Sequence, residues 1–124
     1  MEKSLYEILG EERIRSLVDR FYDHMDGLPE ARGIRAMHEA DLAPMRDKLF
    51  WFLVGWSGGP PLYVERYGHP RLRARHLPFA IGDDEARQWM TCMRAALDEV
   101  VPEPHLKAVL EATFGQIADH MRNR

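Results

Sequence analysis

The sequence predicts an all-α fold in a single domain over residues 1–124. Three observations carry this reading. Apolar residues recur at three- and four-residue steps along four long segments. Gly and Pro clusters punctuate the chain between those segments. No run alternates apolar and polar residues as a half-buried strand would. A chain of 124 residues and 14.4 kDa has room for one domain of ordinary size. Folded, it should expose roughly 6,800 Å² and hide about two thirds of its extended surface. Repeats and low-complexity stretches are absent.

The elements follow in order. Ser4-Leu5-Tyr6-Glu7 has capping-box spacing, so a short helix starts there and Gly10 ends it. Residues 12–26 place Ile14, Leu17, Val18, Phe21, Tyr22 and Met25 on one helical face. Gly27, Pro29 and Gly33 leave room only for a short turn of helix. Asp41 is a candidate N-cap for a helix over 42–57. Its apolar residues (Met45, Leu49, Phe50, Trp51, Phe52, Leu53, Trp56) are too crowded for one face, so it should be covered on several sides. Gly58-Gly59-Pro60-Pro61 is a hard stop. The breakers Gly68, Pro70, Pro78 and Gly82 predict short turns and loop over 62–82. Asp83 or Asp84 can cap a helix over 84–100, striped by Trp89, Met93, Leu97 and Val100. Pro102 and Pro104 start the last helix, striped by Leu106, Leu110, Phe114, Ile117 and Met121.

Composition narrows the function. A 45% hydrophobic and 30% charged chain is a globule and not a disordered tail. Twenty acids against 17 bases give a net charge of −3, which argues against a nucleic-acid binder. The bases are lopsided, with 14 Arg to 3 Lys. The longest apolar run, Leu49 to Val54, is six residues, far short of a membrane span. The N-terminus lacks signal-peptide features. With Cys92 alone there is no intrachain disulfide and no zinc site of Cys pairs, and a cytoplasmic address is expected. A Gly-rich phosphate loop, HExxH and GxSxG are all missing.

Read singly, most polar candidates have plain explanations. His24, His105 and His120 read as solvated helix residues, and His69 as a turn residue. His76 stands in Arg71-Leu72-Arg73-Ala74-Arg75-His76-Leu77-Pro78-Phe79, where bases alternate with apolar residues. Alone it reads as a surface or half-buried histidine. The arginine alternation reads either as a solvated face or as an anion site, because Arg pairs well with carboxylates and phosphates. Tyr22 and Trp89 read as core aromatics, Met45, Met90 and Met93 as gap-fillers, and Cys92 as a small buried hydrophobe.

Together these residues carry a resemblance. The chain resembles the truncated haemoglobins of group II, the O-type, over roughly residues 3–122. The likeness is densest at Arg20-Phe21-Tyr22, at Gly58-Gly59-Pro60, at residues 68–79, and at Gln88-Trp89-Met90-Thr91-Cys92-Met93. It implies a two-over-two helical sandwich enclosing a haem, taken as haem b (iron protoporphyrin IX). It also implies that His76 is the proximal iron ligand, a role for a neutral imidazole. Tyr22 and Trp89 match the distal hydrogen-bond donors, and His38 falls where a third donor can stand. Met45 and Leu49 match two positions facing the ligand, and Phe52 extends that wall. Lys48 and Arg75 match partners of the haem propionates, with Tyr63 assisting through its hydroxyl. Phe21, Leu72, Phe79, Ile81 and Met93 are the apolar contacts expected with the porphyrin. The family often pairs glycines between its first two helices; here Glu11 follows Gly10, so an altered turn is expected.

The function implied is binding of a diatomic gas (dioxygen, nitric oxide or carbon monoxide). Two hydrogen-bond donors suit tight holding of oxygen and poorly suit rapid delivery. A redox role on nitric oxide or peroxide, served by a reductase, competes with oxygen storage or delivery. A sensor ranks lower because 124 residues leave no output region, and a haem-free helical interaction domain is the alternative outside the family. No nucleic acid or membrane partner is expected, and the chain is read as a monomer or homodimer.

Overall fold

Ser4 opens the first helix as its spacing predicts. In the computed structural model, which describes residues 3–124, α1 spans Leu5–Leu9. The Glu7 N–H donates to Ser4 Oγ at 3.1 Å, and the Ser4 N–H donates to the Glu7 carboxylate at 3.2 Å. Met1 and Glu2, the start of the span read as one domain, lie outside the described residues. Gly10 alone links α1 to α2 (Glu11–Gly27). Its φ of +80° suits glycine and strains other residues. The altered turn is this one-residue link.

A 3₁₀ turn (Pro29–Ala31) and α3 (Arg32–Ala36) fill the breaker-rich stretch that follows. Helix α4 runs Ala43–Trp56. The Asp41 carboxylate accepts from the Ala43 N–H at 3.0 Å, although Leu42 is the boundary residue. Past the stop, Gly59 lies so close to α1 that a Cβ would come within 2.6 Å of the Tyr6 ring. Two short helices follow, α5 (Leu62–Tyr67) and α6 (Leu72–His76). Helix α7 spans Asp83–Val100. Its cap is Gly82 and not Asp83 or Asp84, and the Gly82 N–H donates to Glu85 Oε1 at 2.7 Å. Both aspartates stand inside the first turn, where their charge favours the helix N-terminus. Helix α8 spans Pro104–His120. Among the described residues there is no strand, and no helix is long and apolar enough to cross a membrane.

The long helices form two layers. Helices α2 and α4 pack together, α7 and α8 pack together, and α2 lies against α7 between the pairs. This is the expected two-over-two sandwich. Phe21, Phe114, Ile14 and Met25 are the largest fully buried side chains at the centre. Ion pairs tie α2 outward: Arg15 to Asp47 at 3.0 Å, Arg46 to Asp23 at 2.7 Å, and Arg20 to Glu99 at 2.9 Å. His24 also meets Glu99. Such half-exposed pairs contribute little stability each, but they select which helices lie together.

Helix α4 explains its crowded sequence. Leu53 and Val54 enter the core, Phe52 meets Tyr63 of α5, and Met45, Leu49 and Phe52 line a cavity. The chain exposes 7293 Å², more than the roughly 6,800 Å² of a closed globule of this mass. The wall of that cavity adds surface.

Cys92 is fully buried. Burial, reinforced by Glu30, pushes its thiol up to about 11. The native protein should therefore react with Ellman's reagent at about pH 8 at least on the order of 100-fold more slowly than the unfolded chain. Equal rates in the two states would place Cys92 at the surface.

Candidate functional site

A cavity of about 560 Å³ lies between α2, α3, α4, the α5–α6 segment, α7 and α8. That is within the range for small-molecule and cofactor sites. It gathers Phe21, Tyr22, His38, Met45, Lys48, Leu49, Phe52, Tyr63, Leu72, Arg75, His76, Phe79, Ile81 and Trp89. Met93 is the exception: it is fully buried in the core and not on the wall. Helix α7 turns Ala86 and Trp89 to the cavity and Cys92, Met93, Ala96 and Leu97 to the core, so the 89–93 stripe splits between two environments. Wall residues from α2, α3 and α8, such as Met25, Ile34 and Ile117, were not anticipated. Their apolar spacing marks a covered face and does not tell core from cavity wall.

His76 ends α6 and is half-buried. Its Nδ1 lies 2.6 Å from the Leu72 carbonyl oxygen. A carbonyl only accepts, so Nδ1 carries a proton, and in the neutral imidazole Nε2 keeps its lone pair. An imidazole oriented by a backbone carbonyl is a prepared metal ligand. The loop after it is fastened from far along the chain. Asn123 Nδ2 donates to the Phe79 carbonyl at 2.7 Å and to the His76 carbonyl at 3.3 Å. The Ile81 N–H donates to Asn123 Oδ1 at 3.0 Å, and the Asn123 N–H donates to the Ile81 carbonyl at 2.8 Å.

Two donors face the cavity without protein acceptors. Tyr22 is only 4% exposed. Its hydroxyl makes no hydrogen bond among the described residues, yet it is not a sealed orphan, because the cavity reaches it. The same holds for the Trp89 indole N–H. The rings brace one another: Phe21 lies 4.9 Å from Tyr22 and 5.2 Å from Trp89, centroid to centroid. Burial raises the Tyr22 pKa well above its ordinary value near 10, with the Arg46 guanidinium opposing. The hydroxyl therefore keeps its proton. His38 stands 6.0 Å from the Tyr22 ring, and its Nδ1 is 2.8 Å from the Ile34 carbonyl, which leaves Nε2 free. Gln88 accepts from the Ile34 N–H at 2.9 Å and joins α3 to α7 beside these donors.

Lys48 and Arg75 also line the cavity, and neither meets a carboxylate among the described residues. Lys48 Nζ lies 5.5 Å over the Tyr67 ring, and the Arg75 guanidinium lies 5.8 Å over Tyr63. Arg75 Nε donates to the Pro70 carbonyl at 2.7 Å. The polar set is thus two free imidazole nitrogens (His76 and His38), two unpaired N–H or O–H donors and two cations without a carboxylate partner in an apolar cavity. It fits a large apolar cofactor that carries a metal and acidic substituents.

Comparison with known proteins agrees. The family model of bacterial-like globins matches residues 4–123. The Group 2 truncated hemoglobin YjbI of Bacillus subtilis (strain 168) is 40% identical over 119 residues, covering 96% of this chain and 88% of that protein. The solved cold-adapted truncated hemoglobin of the Antarctic marine bacterium Pseudoalteromonas haloplanktis TAC125 superposes with a TM-score of 0.96 at 46% identity, covering 98% of this chain and 99% of that one. The truncated oxygen-avid haemoglobin from Bacillus subtilis superposes with a TM-score of 0.88 at 40% identity, covering 98% and 100% of the two chains.

Proposed function

The chain belongs to the bacterial-like globins, as a truncated haemoglobin of group II, and from that premise we propose that it grips dioxygen tightly and consumes it in redox chemistry. Family membership carries haem-based binding of a diatomic gas. The finer reading assigns roles to this chain's residues. His76 Nε2 holds the metal of haem b. Tyr22 and Trp89 donate hydrogen bonds to the bound gas. The His38 Nδ1–H is given to the Ile34 carbonyl, so in the neutral imidazole Nε2 only accepts, and a third donated bond from His38 needs the imidazolium. When bound, haem supplies an iron with an open coordination position and one-electron redox chemistry.

The observation that carries the reading is the pair of donors, Tyr22 Oη and Trp89 Nε1, that reach the cavity with no protein acceptor. Two such groups, on rings that both pack against Phe21, lose hydrogen bonds in a cavity filled by an apolar cofactor unless a ligand accepts them. A gas bearing partial negative charge is such an acceptor, and a neutral apolar one is not. Met45, Leu49 and Phe52 contribute shape and exclude water from that wall. The oxygen avidity printed for the Bacillus subtilis structure supports tight holding here. A protein that releases oxygen slowly serves poorly as a carrier and well as an oxidant.

The test case is nitric oxide. Dioxygen, nitric oxide and one electron from the protein balance to nitrate. Mixing the oxygen-saturated protein with nitric oxide should yield one nitrate per protein and leave the ferric form. An oxygen-saturated spectrum that persists in excess nitric oxide would sink this role.

The cofactor's acidic groups are assigned to Lys48 and Arg75, with the Tyr63 hydroxyl beside them. Lys48→Ala and Arg75→Ala should each speed haem transfer to an apo-globin acceptor by about 5- to 30-fold, as the loss of a charge-assisted contact on the order of 1–2 kcal/mol implies. Wild-type transfer rates in both variants would refute the assignment.

A further inference from the structure

Consuming dioxygen leaves the protein one electron short, and the surface beside the cavity is built to receive a donor. Eight of the 14 arginines meet a carboxylate within 4.0 Å. The four between residues 66 and 75 meet none among the described residues, and the only acid in the whole 58–82 segment is Glu65. A chain of net charge −3 therefore concentrates positive charge along the α5–α6 segment. Arg75 lines the cavity and the Arg66 guanidinium lies 4.1 Å over the Trp51 ring, while Arg71 and Arg73 are exposed; none of the four meets a carboxylate among the described residues.

The same face is apolar between its charges. Val64 is 48% exposed, Tyr67 41% and Leu77 56%. Arginine, tyrosine and aliphatic residues, with Lys48 alone reaching in over Tyr67, make the composition of a protein interface. A membrane-surface helix needs a long amphipathic face, whereas α5 has six residues and α6 five. The face also touches the cofactor site. Tyr63 lines the cavity and lies 4.9 Å from Tyr67, centroid to centroid. A partner seated on Tyr67 is separated from the cavity by a single aromatic ring.

We infer that the α5–α6 face is the docking surface for an acidic one-electron carrier protein, flavin or iron–sulfur, that returns the ferric protein to the ferrous state. One electron leaves the reduced carrier, which is oxidised, and arrives at the ferric iron, which is reduced. No bond forms or breaks and no proton moves. The inference rests on the redox reading above for its purpose, but its electrostatics stand alone. Complementary charge raises encounter rates by about 10- to 1,000-fold and is screened by salt.

The experiment uses the ferric holoprotein and a reduced flavodoxin, an acidic flavin carrier, as probe. Reduction is followed by stopped flow at ionic strengths of about 0.01 M and about 1 M, where the Debye length is about 30 Å and about 3 Å. The wild-type bimolecular rate should fall at least about tenfold with salt. The double variant Arg66→Glu/Arg73→Glu should be slowed by about tenfold or more at low salt and lose the salt dependence. Its Soret band and its reduction by dithionite should match wild type, which separates docking from folding. Amide NMR shifts on adding oxidised flavodoxin should fall on α5 and α6 and vanish in the double variant. Equal reduction of wild type and variant overturns the assignment. So does an equal slowing by Arg94→Glu, which lies off this face. Binding to phosphatidylserine vesicles that the variant abolishes, with carrier reduction unchanged, gives the face to a membrane and also overturns it. A fast oxygen release from the wild type would refute tight binding and leave the docking result standing.

Discussion

His76→Ala is expected to yield a protein that no longer retains haem. The Soret band should be lost on gel filtration, while helical circular dichroism is largely kept. His76 is half-buried at the end of a short helix, and its ring contributes nothing to the α2–α7 core. Losing it removes the imidazole that Leu72 orients, and the other free imidazole nitrogen of the cavity, on His38, stands elsewhere, beside the Tyr22 ring. Free imidazole added to the variant should restore the band by occupying the space that the side chain left. The thermal midpoint should drop as well. A ligand at 1,000 times its dissociation constant stabilises the folded state by about 4 kcal/mol, and that term disappears with binding. A variant that keeps the wild-type spectrum without added imidazole would move the proximal role to another residue.

Tyr22→Phe has the second-largest expected effect. The substitution keeps the ring contacts with Phe21 and removes only the hydroxyl. A hydrogen bond to a charged acceptor contributes roughly 1.5–3 kcal/mol, so dioxygen should leave about 10- to 150-fold faster. Trp89→Phe should act in the same direction. The double variant should fall short of the product of the two, because donors that share one acceptor are coupled. Flash photolysis or stopped-flow displacement by carbon monoxide reads all three rates. Unchanged release in both single variants would remove the distal roles. The pH dependence has a definite sign. Burial raises the Tyr22 pKa in the folded state. The donor therefore stays protonated, and the release rate should be flat between about pH 6 and about pH 9. The same shift contributes stability that is complete below the ordinary tyrosine value near 10 and is lost as pH rises toward the folded-state value.

Much of this was legible in the chain itself. Long apolar stripes located the four large helices, and Ser4 with Glu7 located the first short one. The 68–79 stretch singled out His76 through its resemblance to the truncated haemoglobins, because alone that histidine reads as a surface or half-buried residue. What stayed hidden is nonlocal. Gln88 meets Ile34 across 54 positions, and Asn123 meets His76 across 47. An isolated amide carries no periodicity, so nothing in its neighbourhood announces its partner. Arg46 is similar: its ties to Asp19 and Asp23 set it over the Tyr22 ring at 5.9 Å, a relation between two helices and not within one. Met93 lies in the core and off the cavity wall, and its spacing alone reports that it is covered and not by what. The cap of α7 moved to Gly82 because Glu85 serves that N–H, which leaves the aspartates inside the helix.

The Asn123 clasp also sets an order of events. The Phe79 and Ile81 backbone is held by a residue more than 40 positions downstream. Closing so long a loop costs chain entropy that local helices do not bear. Helices α7 and α8 must dock before the segment after His76 can be fastened. A chain made from its N-terminus presents His76 well before Asn123 exists. Stable capture of the cofactor thereby waits until the whole α7–α8 hairpin and Asn123 have emerged.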